Sequence, residues 1–185
     1  MKIKKLLFAS ALLFSAYNAS AQTQVIAHRG FWKTEGSAQN SIAALLKADS
    51  IGCYGSEFDV WLAADDQLVV NHDPTFKGKR MENSPSTALT AIKLDNGESL
   101  PTLAKYLKAA QPLHTRLILE LKAHSTPLRE TKAIEKIVAL VKDMGLEERM
   151  EYITFSLHAT KEFIRLAPEG TPVYYLDGNL SPKEL

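Results

Sequence analysis

Apolar positions along this chain follow two alternating rhythms. Short blocks rich in β-branched, leucine and aromatic residues fall at 24–27, 57–62, 117–121, 152–155 and 172–176, and their length predicts strands. Between them the apolar positions recur at helical spacing. Asn40 or Ser41 can cap a helix that runs through Ala43, Leu45, Leu46 and Ala48 to about Ser50. Pro101 opens a second helix with Leu103, Tyr106 and Leu107 on one face. A third, over 128–144, aligns Ile134, Ile137, Val138 and Val141 and is stopped by Gly145. A short one covers 161–166. After the second strand, Asp65-Asp66 makes a turn, and 68–70 returns in extended form to His72-Asp73-Pro74. The stretch 75–99 is polar and reads as irregular, with a short helix near Thr90.

Strand–helix alternation predicts a parallel sheet covered by helices. An open doubly wound sheet and a closed barrel both satisfy that rule. No G-x-G-x-x-G follows the first strand, which weakens a dinucleotide-binding fold. Charged residues instead gather at the carboxyl ends of several strands, where (β/α)8 barrels keep their chemistry. The expected class is therefore α/β, a (β/α)8 TIM-type barrel. Such a barrel takes about 250 residues. With 185 residues and five core strands, the expectation is a barrel domain over 22–185 that is incomplete at its C-terminus, a fragment or a truncated reading frame. An open partial barrel would expose a strand edge and apolar surface.

The first residues have another pattern. Lys2, Lys4 and Lys5 precede an apolar run at 6–17, and Ala19-Ser20-Ala21 supplies small residues for cleavage. This predicts a signal peptide over 1–21, cut before Gln22. An uncleaved anchor is the alternative, but spanning a bilayer takes about 20 apolar residues. The expected location is outside the cytoplasm, periplasmic or secreted, with no stable membrane insertion after cleavage. Cys53 is the sole cysteine, so no internal disulfide can form, and it reads as a small buried apolar residue.

Composition narrows the function. Lys and Arg number 22 against 21 Asp and Glu, a formal charge of +1. Loss of 1–21 removes three lysines and no acid, which makes it −2. Neither value suits a polyelectrolyte-like nucleic-acid binder, so no nucleic-acid partner is expected. A hydrophobic content of 45% excludes a disordered chain.

Four charged groups carry the chemistry: His28-Arg29, Glu57-x-Asp59, His72-Asp73 and Glu120-x-Lys122. Side chains two apart on a strand share a face, so Glu57 projects with Asp59, and Glu120 with Lys122. Three carboxylates converging on one face repel unless a cation sits among them. Oxygen ligands suit a hard divalent ion, Mg²⁺ or Ca²⁺, better than zinc. Arg29 and Lys122 beside it suit an anionic substrate such as a phosphate ester. His28 and His72 can take and return a proton near neutral pH. Together these residues predict metal-assisted phosphodiester cleavage of a small-molecule substrate. Taken singly, each has a plainer role. Arg29, Glu57 and Asp59 could form ion pairs, and Lys122 could snorkel from a strand end. Asp73 could orient His72 or cap a turn. Phe31 and Trp32 could line a pocket or cover the barrel mouth. His114, His124 and His158 lack motif context and read as surface or loop residues, and Trp61, Tyr174 and Tyr175 as core.

In order, His28-Arg29-Gly30, Gln39-Asn40-Ser41, Glu57-Phe58-Asp59-Val60, Val69-Val70-Asn71-His72-Asp73 and Leu119-Glu120-Leu121-Lys122 resemble the glycerophosphodiester phosphodiesterase family. The stretch from Gly97 to Leu103 also resembles the family's segment before its next helix. The resemblance covers about 25–178 and implies a (β/α)8 barrel that hydrolyses glycerophosphodiesters to glycerol 3-phosphate and an alcohol. It implies Glu57, Asp59 and Glu120 as metal ligands, His28 and His72 as the acid–base pair, and Arg29 and Lys122 as phosphate-holding groups. It also implies attack by the glycerol 2-hydroxyl through a cyclic phosphate. Gln39 departs from the family's usual Glu at this place, keeping hydrogen-bonding shape without charge. The alternatives are a phosphatidylinositol-specific phospholipase C-like or phospholipase D-like lipid phosphodiesterase, and a non-catalytic remnant barrel acting as a binding protein. The polar character of 75–99 disfavours the apolar rim a lipid substrate would call for.

Overall fold

The structure is a computed structural model and describes residues 23–181 and Lys183. The expected signal peptide, 1–21, lies outside the described residues.

The chain runs β1 (Ile26–Ala27), α1 (Ile42–Ser50), β2 (Gly55–Leu62), β3 (Leu68–Val70), β4 (Thr75–Phe76), β5 (Lys79–Arg80), α2 (Ser86–Thr90) and α3 (Leu103–Ala110). It continues through β6 (Arg116–Leu121), α4 (Pro127–Asp143), β7 (Met150–Thr154), α5 (Leu157–Leu166) and β8 (Val173–Tyr175). Each longer helix starts on a Ser or Thr whose side chain accepts an otherwise unpaired N–H of the first turn. Ser41 accepts from Ala44, Thr102 from Lys105, Thr126 from Arg129 and Ser156 from Ala159. The Ser156 cap explains why α5 begins at Leu157 rather than at residue 161. β2 likewise begins at Gly55, because Gly55 and Ser56 pair with Ile26 and Ala27 on one side and with Arg116 and Leu117 on the other.

Five parallel strands form one sheet in the order β1-β2-β6-β7-β8. β3 adds to β2 antiparallel, pairing Val60 with Val70, and uses the upper part of the edge whose lower part holds β1. The alternation within strands then sorts residues between two layers. Phe58, Val60 and Leu62 of β2 and Leu117, Leu119 and Leu121 of β6 face the helices, where they pack with Leu45, Tyr106, Ile134 and Phe163. Gly55, Glu57, Asp59 and Trp61 take the other face, together with Ile118 and Glu120. Gly55 has no room for a side chain, since a Cβ there would stand 2.6 Å from Ile118 Cδ1.

The stretch 75–99 is more ordered than its polarity suggests. It holds the β4–β5 hairpin and α2 and closes a second apolar cluster of Trp61, Val69, Met81, Leu89, Ile92, Leu94 and Leu100. A few spaced apolar residues suffice for this because β2 and β3 supply the other half.

β1 and β8 are the two ends of the described sheet. Tyr174, expected in the core, is half exposed on β8, where no strand covers its outer side among the described residues. No described helix is long and apolar enough to cross a membrane.

Candidate active site

The carboxyl ends of β1, β2, β3 and β6 meet on one side of the sheet. The parallel register sets Asp59 of β2 directly beside Glu120 of β6. Glu57, two residues earlier on the same face, joins them. One oxygen from each of the three carboxylates lies within 4.8 Å of the others, and all three residues are buried. Lys122 continues the face of Glu120, and its ammonium donates to Glu120 at 2.7 Å and to Asp59 at 3.3 Å.

β1 delivers the second group. Beyond Ala27 the chain turns through Arg29 (φ 60°) and Gly30 (φ 75°), both left-handed. This turn aims the Arg29 backbone N–H at Glu57 Oε2, 2.7 Å away. The Arg29 guanidinium reaches back along the site. Nη1 donates to Gln39 Oε1 at 2.6 Å, while Nε is buried 3.9 Å from Asp59 Oδ2 with no hydrogen-bond partner. His28 Nε2 lies 3.9 Å from Glu57 Oε2.

His72 arrives from β3. The Asn71 N–H donates to the Asp59 carbonyl, and Trp61 Nε1 donates to the His72 carbonyl. His72 Nδ1 is 2.7 Å from Asp73 Oδ1, so the carboxylate orients the ring and leaves Nε2 free. A cavity of about 270 Å³ opens beside His72, walled by Trp32, Gln39, Asn40, Asp73 and Phe76.

The electrostatics follow from crowding. Burial, and then the Asp59 charge, hold the Glu57 carboxyl well above the usual range. Burial also raises Glu120, against the opposing pull of Lys122. His28 is held below its ordinary value by partial desolvation and by the charge of Arg29, to which His72 and Lys122 add, against the opposing pull of Asp59. Glu57 Oε1 is buried without any partner, because the Arg29 N–H takes only Oε2. An orphaned carboxylate oxygen among three converging carboxylates is what a bound hard cation would satisfy, so these residues fit a divalent metal.

All seven expected site residues are thus brought to one end of the sheet: His28, Arg29, Glu57, Asp59, His72, Glu120 and Lys122. Three further residues were not anticipated. Asn40, buried and left-handed at φ 59°, donates to Asp59 Oδ2 at 2.8 Å and accepts from the Asp59 N–H at 3.1 Å. Its signal lay in the Asn40-Ser41 pair, since Ser41 alone caps α1 and leaves Asn40 free to bond elsewhere. Glu98 accepts from the Ile42 and Ala43 N–H groups at 3.0 and 3.1 Å, closing the start of α1 from 55 and 56 residues away. It lies within the Gly97–Leu103 stretch, but nothing local says that it closes a helix 55 residues away. His124, read from the sequence as a surface or loop residue, lies in the loop after β6 but is half-buried there, with Nδ1 2.7 Å from the Lys122 carbonyl.

Three carboxylates that could hold a metal ion, two basic side chains and two imidazoles, gathered at the ends of β1, β2 and β6 and of the antiparallel β3, are arranged as in a (β/α)-barrel enzyme. No family model matches the chain. A glycerophosphodiester phosphodiesterase of Caldanaerobacter subterraneus subsp. tengcongensis is 30% identical over an alignment of 161 residues that covers 80% of this chain and 64% of that protein. The crystal structure of a glycerophosphodiester phosphodiesterase from Parabacteroides distasonis is 55% identical, superposes with a TM-score of 0.85, and matches over 88% of this chain and 68% of that one. An Oleispira antarctica phosphodiesterase solved with its product sn-glycerol-3-phosphate is 26% identical, with a TM-score of 0.68 over 83% of this chain and 64% of that one. The chain belongs to the glycerophosphodiester phosphodiesterase family, and it spans roughly two thirds of the length of these relatives.

Proposed function

We propose that this chain hydrolyses glycerophosphodiesters to glycerol 3-phosphate and an alcohol with the help of Mg²⁺ or Ca²⁺. The observation that carries this is a pair of unsatisfied buried atoms at one site. Glu57 Oε1 lacks a cationic partner, and 20%-exposed Arg29 has an Nε that lacks an acceptor. A cation on one side and a phosphoryl oxygen on the other would satisfy both. Membership of the family, and the product found in the Oleispira enzyme, support the choice of ester.

Glu57, Asp59 and Glu120 would hold the cation, which supplies positive charge against the phosphodiester oxygens and lowers the pKa of a hydroxyl bound beside it. Arg29 and Lys122 hold the phosphate. Of His28 and His72, one accepts the proton of the attacking hydroxyl as its oxygen bonds to phosphorus. The other gives a proton to the departing alcohol oxygen as the old P–O bond breaks, and water then opens the resulting cyclic phosphate with the two roles exchanged, releasing glycerol 3-phosphate. Asp73 keeps the His72 proton on Nδ1, so transfer runs through Nε2. Asn40 positions Asp59 from both ends of its amide.

The test is release of glycerol 3-phosphate from glycerophosphocholine by the purified chain with Mg²⁺, with Ca²⁺ and with chelator. The expected result is turnover that chelator abolishes and metal restores. A folded chain that releases nothing with either ion overturns the proposal. The same reading places the protein outside the cytoplasm, on the strength of the basic start, apolar run and Ala19-Ser20-Ala21 site. Intact mass of the exported protein beginning at Gln22 would support this, and full-length protein retained in the cytoplasm would overturn it.

A further inference from the structure

The loop that carries Lys122 is tied down more tightly than a strand end requires. The β2–β6 ladder continues past β6 with the Lys122 N–H donating to the Val60 carbonyl at 3.1 Å. In a regular parallel pair the next rung would run from the Leu62 N–H to the Lys122 carbonyl. The His124 imidazole stands in that rung. Its Nε2 accepts from the Leu62 N–H at 2.9 Å, and its Nδ1 donates to the Lys122 carbonyl at 2.7 Å. One tautomer, protonated on Nδ1, satisfies both bonds. Burial lowers the proton affinity of this ring and favours that neutral form. Trp61 packs against it with ring centroids 5.3 Å apart.

The backbone around the ring is fixed as well. The His124 N–H donates to the buried Glu130 carboxylate at 3.1 Å. The Ser125 N–H donates to both oxygens of Glu82, at 3.2 and 3.1 Å. Arg129 joins Glu82 to the Leu62 and Ala63 carbonyls at the end of β2. Lys122 is therefore bonded to β2 directly through its N–H and through one imidazole at its carbonyl, and its ammonium lies 3.3 Å from Asp59 Oδ1.

We infer that His124 is a positioning residue for Lys122, a ring inserted between two strand ends that sets the distance from which the ammonium addresses the bound phosphate. The inference rests on the proposed role of Lys122 in holding phosphate. A wedge of this kind acts on binding more than on proton transfer, because it touches neither His28 nor His72.

The test compares wild type, H124Q and H124F in two measurements. One is calorimetric binding of glycerol 3-phosphate in Mg²⁺, and the other is turnover of glycerophosphocholine. Gln keeps one donor and one acceptor for the two backbone groups, whereas Phe fills the space and satisfies neither. H124F should bind glycerol 3-phosphate about 10- to 100-fold more weakly and raise KM more than it lowers kcat, as loss of an orienting partner does. H124Q should stay within about threefold of wild type, since its amide restores both bonds. If H124F does not fold, H124M carries the same comparison. Wild-type binding by the folded variant without the bonds overturns the inference, and so does an H124Q as weak as that variant. A wild type that binds glycerol 3-phosphate but cleaves no diester overturns the proposed function instead and leaves the binding comparison decisive. A wild type that neither binds nor cleaves overturns both.

Discussion

Asn40 engages Asp59 with both ends of its amide, and neither Asp59 group has another route to water. N40A would leave the Asp59 N–H and one carboxylate oxygen buried without this partner. The expected cost is about 1–3 kcal/mol of stability in urea titration. Affinity for Mg²⁺ or Ca²⁺ should fall about 10- to 100-fold by calorimetry, the usual penalty for removing a group that orients a ligand. H28A and H72A should behave differently, each lowering kcat about 10²- to 10⁴-fold with little change in the urea midpoint. The two kinds of residue also differ in how they show in the sequence. His28, Glu57, His72 and Glu120 stand out because charged and titratable groups at strand ends are costly without a purpose. Asn40 shows only through the Gln39-Asn40-Ser41 series, because a neutral amide is ordinary near a helix start and its partner lies 19 residues away.

The β1–α1 connection is shaped by close approach rather than by charge. A Cβ on Gly30 would meet Ala44 Cβ at 2.7 Å and the Ala44 carbonyl carbon at 2.8 Å, and φ is +75°. G30A should therefore cost about 2–4 kcal/mol, strain added to overlap. Gly36 also has positive φ, but nothing lies within 4 Å of its would-be Cβ. G36A should cost only about 1 kcal/mol, the conformational part alone. Equal thermal midpoints for the two variants would contradict this account. At the level of elements, helix starts were legible to within two residues where a cap or a proline preceded an apolar face, as at Ser41 and Pro101, although Thr102 rather than Pro101 caps α3. The start of α5 was less legible, because the buried residues of its first turns include only the small Ala159 and Thr160. Order in 75–99 was not legible, since its apolar residues form a core only against β2 and β3.

Across the whole molecule, distant segments are joined by carboxylates that accept backbone N–H groups. Asp49, in the last turn of α1, accepts from His114 and Thr115 at 2.7 and 2.8 Å and so ties α1 to the entry of β6. Burial pushes this carboxyl up, but the Thr115 and His114 N–H groups outweigh it and hold the group below its ordinary 3.8. The folded chain binds this proton less readily than the unfolded chain. Its stabilisation is therefore present above 3.8 and is lost as pH falls through the lower folded value. The gap in urea midpoint between wild type and D49N should be steady from about pH 7 to 5 and shrink below about pH 4. A gap that widens toward acid would contradict this assignment.

The sequence by itself determined the alternation of strands and helices, the pairing of charges two apart on β2 and β6, and the ordered series of motifs from His28 to Lys122. These are local quantities, set by side-chain period, capping chemistry and the cost of burying charge. Only the tertiary structure decided that Asp59 stands beside Glu120, that Glu98 closes α1, and that His124 replaces a rung of the ladder. Those contacts join segments 55 to 62 residues apart. Their geometry depends on strand register and loop path, which many sequences of the same pattern would share or lack without any change in local preference.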